Sequence, residues 1–205
     1  MKEFKDFTDI ELDALREFTN MGAAHAATAL SKLVDRKIQI KTPQVKIAPV
    51  EQIPAKLGGA DNPGVGLYFR TSGDLSGSIL LFFPQATAHV LVELLTSDMC
   101  PKSITEFNEV GRSALMEVGN ILTNSYLNAL AEMMHMRLLL SVPHYSADFL
   151  GAVIDFLLIE LAQAADYALL METVIESAET KFAGSLIVFP DEASLQKIFE
   201  SVGLS

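Results

Sequence analysis

The sequence predicts an α+β domain made of two repeated units, with long helices covering a shared β-sheet. Three observations lead there. A polar motif recurs at an offset of one hundred residues, as Asp13-x3-Glu17-x2-Asn20-x22-Pro43 and as Ser113-x3-Glu117-x2-Asn120-x22-Pro143. The order of elements repeats around it. The closing strands of the two units, "GSILLFFP" (Gly77 to Pro84) and "GSLIVFP" (Gly184 to Pro190), match. With 50% hydrophobic residues among 205, the chain can bury a sizeable core. The expected organisation is one domain over 1–205, with repeat one at about 9–98 and repeat two at about 104–203, related by a pseudo-twofold axis.

The first long helix follows from apolar residues at helical spacing, Leu12, Leu15, Phe18, Met21, Leu30 and Leu33, with Thr8 or Asp9 as its cap. "RKIQIKTPQVKIAPV" then alternates and reads as an extended segment interrupted by Pro43. A turn-rich loop, "GGADNPG" (Gly58 to Gly64), precedes two strands around the Ser72-Gly73-Asp74 turn. An amphipathic helix over Gln85 to Ser97 follows, and Met99-Cys100-Pro101 closes the unit. In the second unit a helix over about Glu106 to Met136 leads into "RLLLSVPHY". A hairpin within "DYALLMETVIESAETKFAGSLIVFP" and a final helix from Asp191 to about Val202 complete it. The units differ at one point. Where the first has the polar loop, the second carries the apolar stretch Ala147 to Ala164, which reads as an added helix serving either as core or as a partner surface.

Composition narrows the function. Asp and Glu outnumber Lys and Arg by 26 to 15, a net charge of −11, and no basic cluster is available for phosphate contacts, so no nucleic-acid partner is expected. Cys100 is the single cysteine, which leaves no internal disulfide and no multi-thiolate metal site. "MKEFKDFTDI" has no apolar signal region. The stretch from Asp148 to Met171 is interrupted by Asp155, Glu160 and Asp166, so membrane insertion is not expected and the chain reads as cytoplasmic. His25, His89, His135 and His144 have no metal-ligand spacing.

The doubled motif carries the chemistry. Steps of four and seven lie on one helical stripe, so Asp13, Glu17 and Asn20 project together, as do Ser113, Glu117 and Asn120. A four-residue match at fixed spacing arises by chance at about one start in 10⁵, and twice at the same spacing far less often. Asn cannot act as a general base, but its carbonyl oxygen and amide nitrogen can orient a water. That suits phosphoryl transfer, where catalysis is mostly positioning and electrostatics. The chain has no Walker loop and no cysteine nucleophile in a phosphate loop. The expectation is a helix face that completes an active site on another protein.

The doubled motif, together with "MGAAHAATALSKLVD" and "EVGNILTNSYLNALAEM", resembles the CheC family of bacterial and archaeal chemotaxis proteins over essentially the whole chain, Glu11 to Val202. The resemblance implies two long helices side by side over a mixed sheet. It also implies dephosphorylation of phospho-CheY, the response regulator, with Glu17 and Asn20, and Glu117 and Asn120, as the catalytic pairs. The amide would orient the attacking water and the Glu would anchor a basic residue of the regulator. Mg²⁺ would be held by CheY, with no cofactor on this chain. Asp13, Pro43, Ser113 and Pro143 would support the motif. A second implied partner is the receptor deamidase CheD, docking on Ala147 to Ala164 with Asp148 as its acidic contact. Family members often place Gly before the Asn; Gly119 fits, but Thr19 does not, and Gly22-Ala23-Ala24 departs from Gly-Ala-Gly. A β-branched side chain beside Asn20 would restrict approach of another backbone, so the second site is expected to be stronger.

The rival reading is a flagellar-switch component like the middle domains of FliM and FliY, which share this fold in the resemblance. Those proteins carry a rotor-binding domain that is not expected here, and FliM-type domains usually lose the Glu and Asn. A non-catalytic adaptor that sequesters CheD is a third reading. The dimeric single-site relative CheX fits two sites in one chain less well.

Overall fold

A computed structural model of the chain describes residues 9–96, 103–160, 167–176 and 181–201. The elements run α1 (Asp9–Leu33), β1 (Gln39–Pro49), α2 (Ile53–Lys56), β2 (Pro63–Gly73), β3 (Gly77–Pro84), α3 (Gln85–Thr96), α4 (Glu109–Met134), β4 (Leu138–Leu140), β5 (His144–Phe149), α5 (Leu150–Glu160), β6 (Tyr167–Glu176), β7 (Lys181–Pro190) and α6 (Glu192–Ser201). The expected Thr8 cap, Met99-Cys100-Pro101 and the end of the apolar stretch at 161–164 lie outside the described residues.

One seven-stranded sheet organises the molecule, in the order β1-β6-β7-β3-β2-β4, with β5 also paired to β2. The hairpins β2–β3 and β6–β7 meet at the centre through β3 and β7, and β1 from the first half lies outside β6 from the second. On the other side, β5 from the second half lies outside β2 from the first. Exchanging β1 with β5, β2 with β6 and β3 with β7 returns the same order read from the opposite edge. Every described pairing is antiparallel, which corrects the expectation of a mixed sheet. The strands of each hairpin run antiparallel, and the last strands of the halves, β3 and β7, pair antiparallel as well, so no parallel crossover is needed.

The central strands are apolar without alternation because both faces are covered. Leu67, Phe69, Ile79, Leu81 and Phe83 point into a core formed with α1, α3, α4 and α6. Tyr68, Leu80, Phe82, Leu170, Ile187 and Phe189 point the other way, onto Val50, Ile53 and α5. Successive side chains of a strand alternate faces, so a continuous apolar run is what a sheet buried on both sides requires. The sequence reading placed the helices over the sheet without anticipating this second layer.

The apolar stretch of the second half is accordingly part core. Its first three residues, Ala147 to Phe149, belong to β5, and the helix begins at Leu150. Leu150, Val153, Ile154 and Leu157 are buried against the sheet. The polar loop of the first half seats the helix: Leu150 N–H donates to Asn62 O and Gly151 N–H to Ala60 O, each at 2.9 Å. These bonds satisfy donors that a helix start leaves open. No helix among the described residues is long and apolar enough to cross a membrane.

Helices α1 and α4 pack against each other on the sheet. At their contact a Cβ on Gly22 would lie 2.5 Å from Cδ1 and 2.9 Å from Cα of Tyr126, so only glycine permits this approach. The Tyr126 hydroxyl shares a hydrogen bond with Thr173 Oγ1 at 3.2 Å, tying α4 to β6, and burial pushes its phenol up to about 12. Both long helices end in the same way. Asp35 and His135 take left-handed conformations, with φ of 49° and 53°. The following amides reach back, Arg36 N–H to Ser31 O at 3.2 Å and Met136 N–H to Ala131 O at 3.0 Å. Such a stop ordinarily uses glycine. Replacing Asp35 or His135 by Gly should therefore stabilise the fold by about 0.5–1 kcal/mol each, read as a higher urea midpoint with unchanged slope.

Candidate functional site

Each long helix turns an apolar face to the sheet and leaves the motif stripe outward. On α1, Asp13 and Glu17 are exposed and Asn20 is half-buried. On α4, Ser113 and Glu117 are exposed and Asn120 is half-buried. The structure thus brings together each Glu with its own Asn, one turn apart on one helix. Neither amide is fully open; each is partly sunk into the helix surface.

Asp13 Oδ1 pairs with Arg16 Nη1 at 2.7 Å, and both side chains are largely solvated. An exposed i,i+3 pair of this kind adds only a few tenths of a kcal/mol to the helix. The motif prolines have a common backbone role. Pro43 lies in β1 where the register with β6 shifts between Lys41 and Gln44; its side chain is outside the described ones. Pro143 falls between β4 and β5, which pair with opposite ends of β2. Proline has no N–H for a ladder, so each interrupts an outer strand.

The residues preceding the amides remove the reason given for ranking the sites, not the ranking itself. Thr19 is fully buried, with Oγ1 donating to Arg16 O at 2.8 Å. Its β-branch points into the molecule and cannot hinder a partner's backbone. Gly119 is buried at the equivalent place, where an added Cβ would run into Leu67 Cδ1. The glycine serves close packing of α4 on β2, and the side chain at position 19 or 119 faces inward in both helices.

A difference between the amides lies elsewhere. Asn20 Oδ1 is buried with no hydrogen-bond partner among the described residues. Asn120 Oδ1 accepts from Asn124 Nδ2 at 2.8 Å. Sequence reasoning missed Asn124 because only its position one turn beyond Asn120 hints at the contact. It also missed Arg112, whose guanidinium sits 5.7 Å from the centre of the Tyr145 ring and joins the first turn of α4 to β5 just after Pro143. Burial raises the Tyr145 phenol, and the Arg112 charge partly offsets that.

Asp148 is exposed near the end of β5, opposite Gly64 of β2, and its Oδ1 accepts from Phe149 N–H at 2.7 Å. Phe149, Phe156 and Ile159 are 54%, 55% and 78% exposed, so α5 leaves large apolar side chains in solvent alongside the exposed carboxylate of Asp155. The histidines are scattered: His89 packs edge-on to Phe107, His135 ends α4 and His144 tilts against Tyr68. Among the described residues no group of three or more His, Cys, Asp or Glu converges as a metal site.

The chain is similar to known proteins in sequence and in fold. A model of the CheC-like family matches residues 10–47 and 110–145, the two stretches from a long helix through its proline. The chain is 35% identical over 209 residues to the CheY-P phosphatase CheC of Bacillus subtilis (strain 168), covering 100% of both proteins. Among solved structures, Thermotoga maritima FliY matches with a TM-score of 0.76 at 19% identity, over 97% of this chain and 98% of that one. A chain of the CheX-CheY-BeF3-Mg²⁺ complex from Borrelia burgdorferi matches with a TM-score of 0.53 at 16% identity, over 85% and 98%. The two structural likenesses show the fold.

The unequal amides generate a stability prediction. Alanine at either position gains about 0.5 kcal/mol of helix propensity. Asn20→Ala also removes a buried oxygen that has no partner among the described residues and should stabilise the fold by about 1–2 kcal/mol in all. Asn120→Ala loses a made hydrogen bond and should be close to neutral. Urea titrations of the two variants would test this; a destabilised Asn20→Ala protein would contradict it.

Proposed function

The chain belongs to the CheC-like family, and from that premise we propose that it hydrolyses the aspartyl phosphate of the response regulator CheY. The observation that carries the reading is the end-to-end likeness to a CheY-P phosphatase, together with a Glu-x-x-Asn pair on the outer side of both long helices. We read the chain as one domain formed by internal duplication, with one catalytic pair per half.

In the proposed reaction either helix docks on the phosphorylated regulator. Glu17 or Glu117, an exposed acceptor-only carboxylate, engages a basic side chain of CheY and sets the register of docking. Asn20 or Asn120 enters the phosphate site and orients a water in line with the scissile bond. The water oxygen bonds to phosphorus as the phosphorus–aspartate oxygen bond breaks, releasing inorganic phosphate and the carboxylate. Mg²⁺, held by CheY, would neutralise charge on the phosphoryl oxygens. The amide accelerates the step by fixing the water rather than by taking its proton. Such a partner places the protein in the cytoplasm.

The receptor deamidase CheD is proposed as a second partner, on the outer side of α5. The exposure of Phe149, Phe156 and Ile159, with the exposed carboxylate of Asp148 preceding Phe149 in the chain, is the supporting feature, since exposed apolar patches usually mark a contact surface.

Two outcomes test these assignments. The Asn20→Ala, Asn120→Ala double variant should keep its circular dichroism spectrum and lose phosphatase activity by about 10²–10³ in all, because each of the two parallel sites loses its amide. A folded, active double variant would rule out the catalytic assignment. Asp148→Lys should weaken CheD binding at least tenfold in calorimetry while leaving phosphate release unchanged. Equal CheD affinity in this variant would leave α5 with its core role alone.

A further inference from the structure

Asn124 lies one turn beyond Asn120 on α4, half-buried beside it. Its Nδ2 carries two hydrogens and has two acceptors, Asn120 O at 2.9 Å and Asn120 Oδ1 at 2.8 Å. The backbone contact decides how the side chain sits. A carbonyl oxygen only accepts, so Asn124 must turn its nitrogen, not its oxygen, toward the helix. The second hydrogen then points at the Asn120 side chain and selects its oxygen, because a half-turn of the Asn120 amide would set one NH2 group against another. The terminal torsion of Asn is broad and roughly twofold when free. Here one of its two orientations is chosen, leaving Nδ2 and the remaining lone pair of Oδ1 for a ligand.

The first site has no such device. One turn beyond Asn20 stands Ala24, exposed and with no donor on its side chain. Asn20 Oδ1 correspondingly has no partner among the described residues. The two sites therefore differ in how far the amide is set before a partner arrives.

We propose that Asn124 is a positioning residue that fixes the Asn120 amide in its working orientation, and that its absence at position 24 makes the first site the slower of the two. The inference rests on the phosphatase reading above. An amide held in one orientation need not be ordered in the transition state, so its effect falls on kcat rather than on binding of the regulator.

The test isolates each site in turn, with phosphate release from phosphorylated CheY followed at steady state. In an Asn20→Ala background, Asn124→Ala should lower kcat about tenfold with KM within about twofold. In an Asn120→Ala background, Ala24→Asn should raise kcat severalfold, a gain that a merely structural role for Asn124 would not give. Full kcat in the Asn124→Ala protein, when Asn120→Ala abolishes it, would overturn the positioning role and leave the phosphatase reading standing. A raised KM at constant kcat would overturn it too, by making Asn124 a docking contact. If Asn120→Ala itself changes nothing, both readings fall together. Should Asn124→Ala fail to fold, the first site decides alone: a gain from Ala24→Asn upholds the proposal and no gain overturns it.

Discussion

The close contact of α1 with α4 is the constraint on which the rest depends. Gly22 gives up its side chain so that α1 can lie against Tyr126, and Tyr126 in turn reaches Thr173 on β6. Gly119 does the same service between α4 and β2, where Leu67 occupies the space a Cβ would need. With both helices pressed onto the sheet and onto each other, positions 19 and 119 must face inward. Positions 17, 117, 20 and 120 are then left on the outer side. The exposed carboxylates and half-sunk amides are thus a consequence of packing two helices tightly, not of any loop that carries them. A site built on rigid helices holds its geometry better than one on loops, which suits chemistry by positioning.

The second layer of the fold solves a different problem. A sheet whose central strands are apolar on both faces needs cover on both, and α1, α3, α4 and α6 supply only one. Helix α5 covers the other, seated on carbonyls of Ala60 and Asn62 from the opposite half of the chain. The same short helix then carries more apolar surface than the sheet can take, and Phe156 and Ile159 remain outside. One side of the helix is core and the other leaves apolar side chains in solvent, which is why its sequence is apolar nearly all round.

Much of this was legible in the residues. The helical periods of Leu12 to Leu33 and of the α4 stretch placed both long helices to within a few residues, and the motif spacing put Glu and Asn on shared stripes. The turn at Ser72-Gly73-Asp74 marked the first hairpin. What could not be read were facts that depend on a second element. Thr19 looks like an obstacle beside Asn20 until the sheet beneath it is known. The left-handed stops at Asp35 and His135 use residues that give no glycine signal. Strand direction was misjudged because pairing partners lie far apart in sequence, and the bond from Asn124 to Asn120 depends on rotamers that spacing alone does not determine. The motif prolines were visible as landmarks, but their role as breaks in the outer strands needed the register of β1 with β6 and of β4 and β5 with β2.

Two outward-facing Glu and Asn pairs, held by the packing of α1 on α4, are proposed to act on a phosphate carried by another protein. The most direct measurement is release of inorganic phosphate from isolated, phosphorylated cognate CheY in the presence of Mg²⁺, with and without the unaltered protein. Release should be faster than the regulator's own hydrolysis, rising in proportion to the amount of protein added and repeating over many turnovers. Release at the regulator's own rate, at concentrations where the two proteins demonstrably bind, would contradict it.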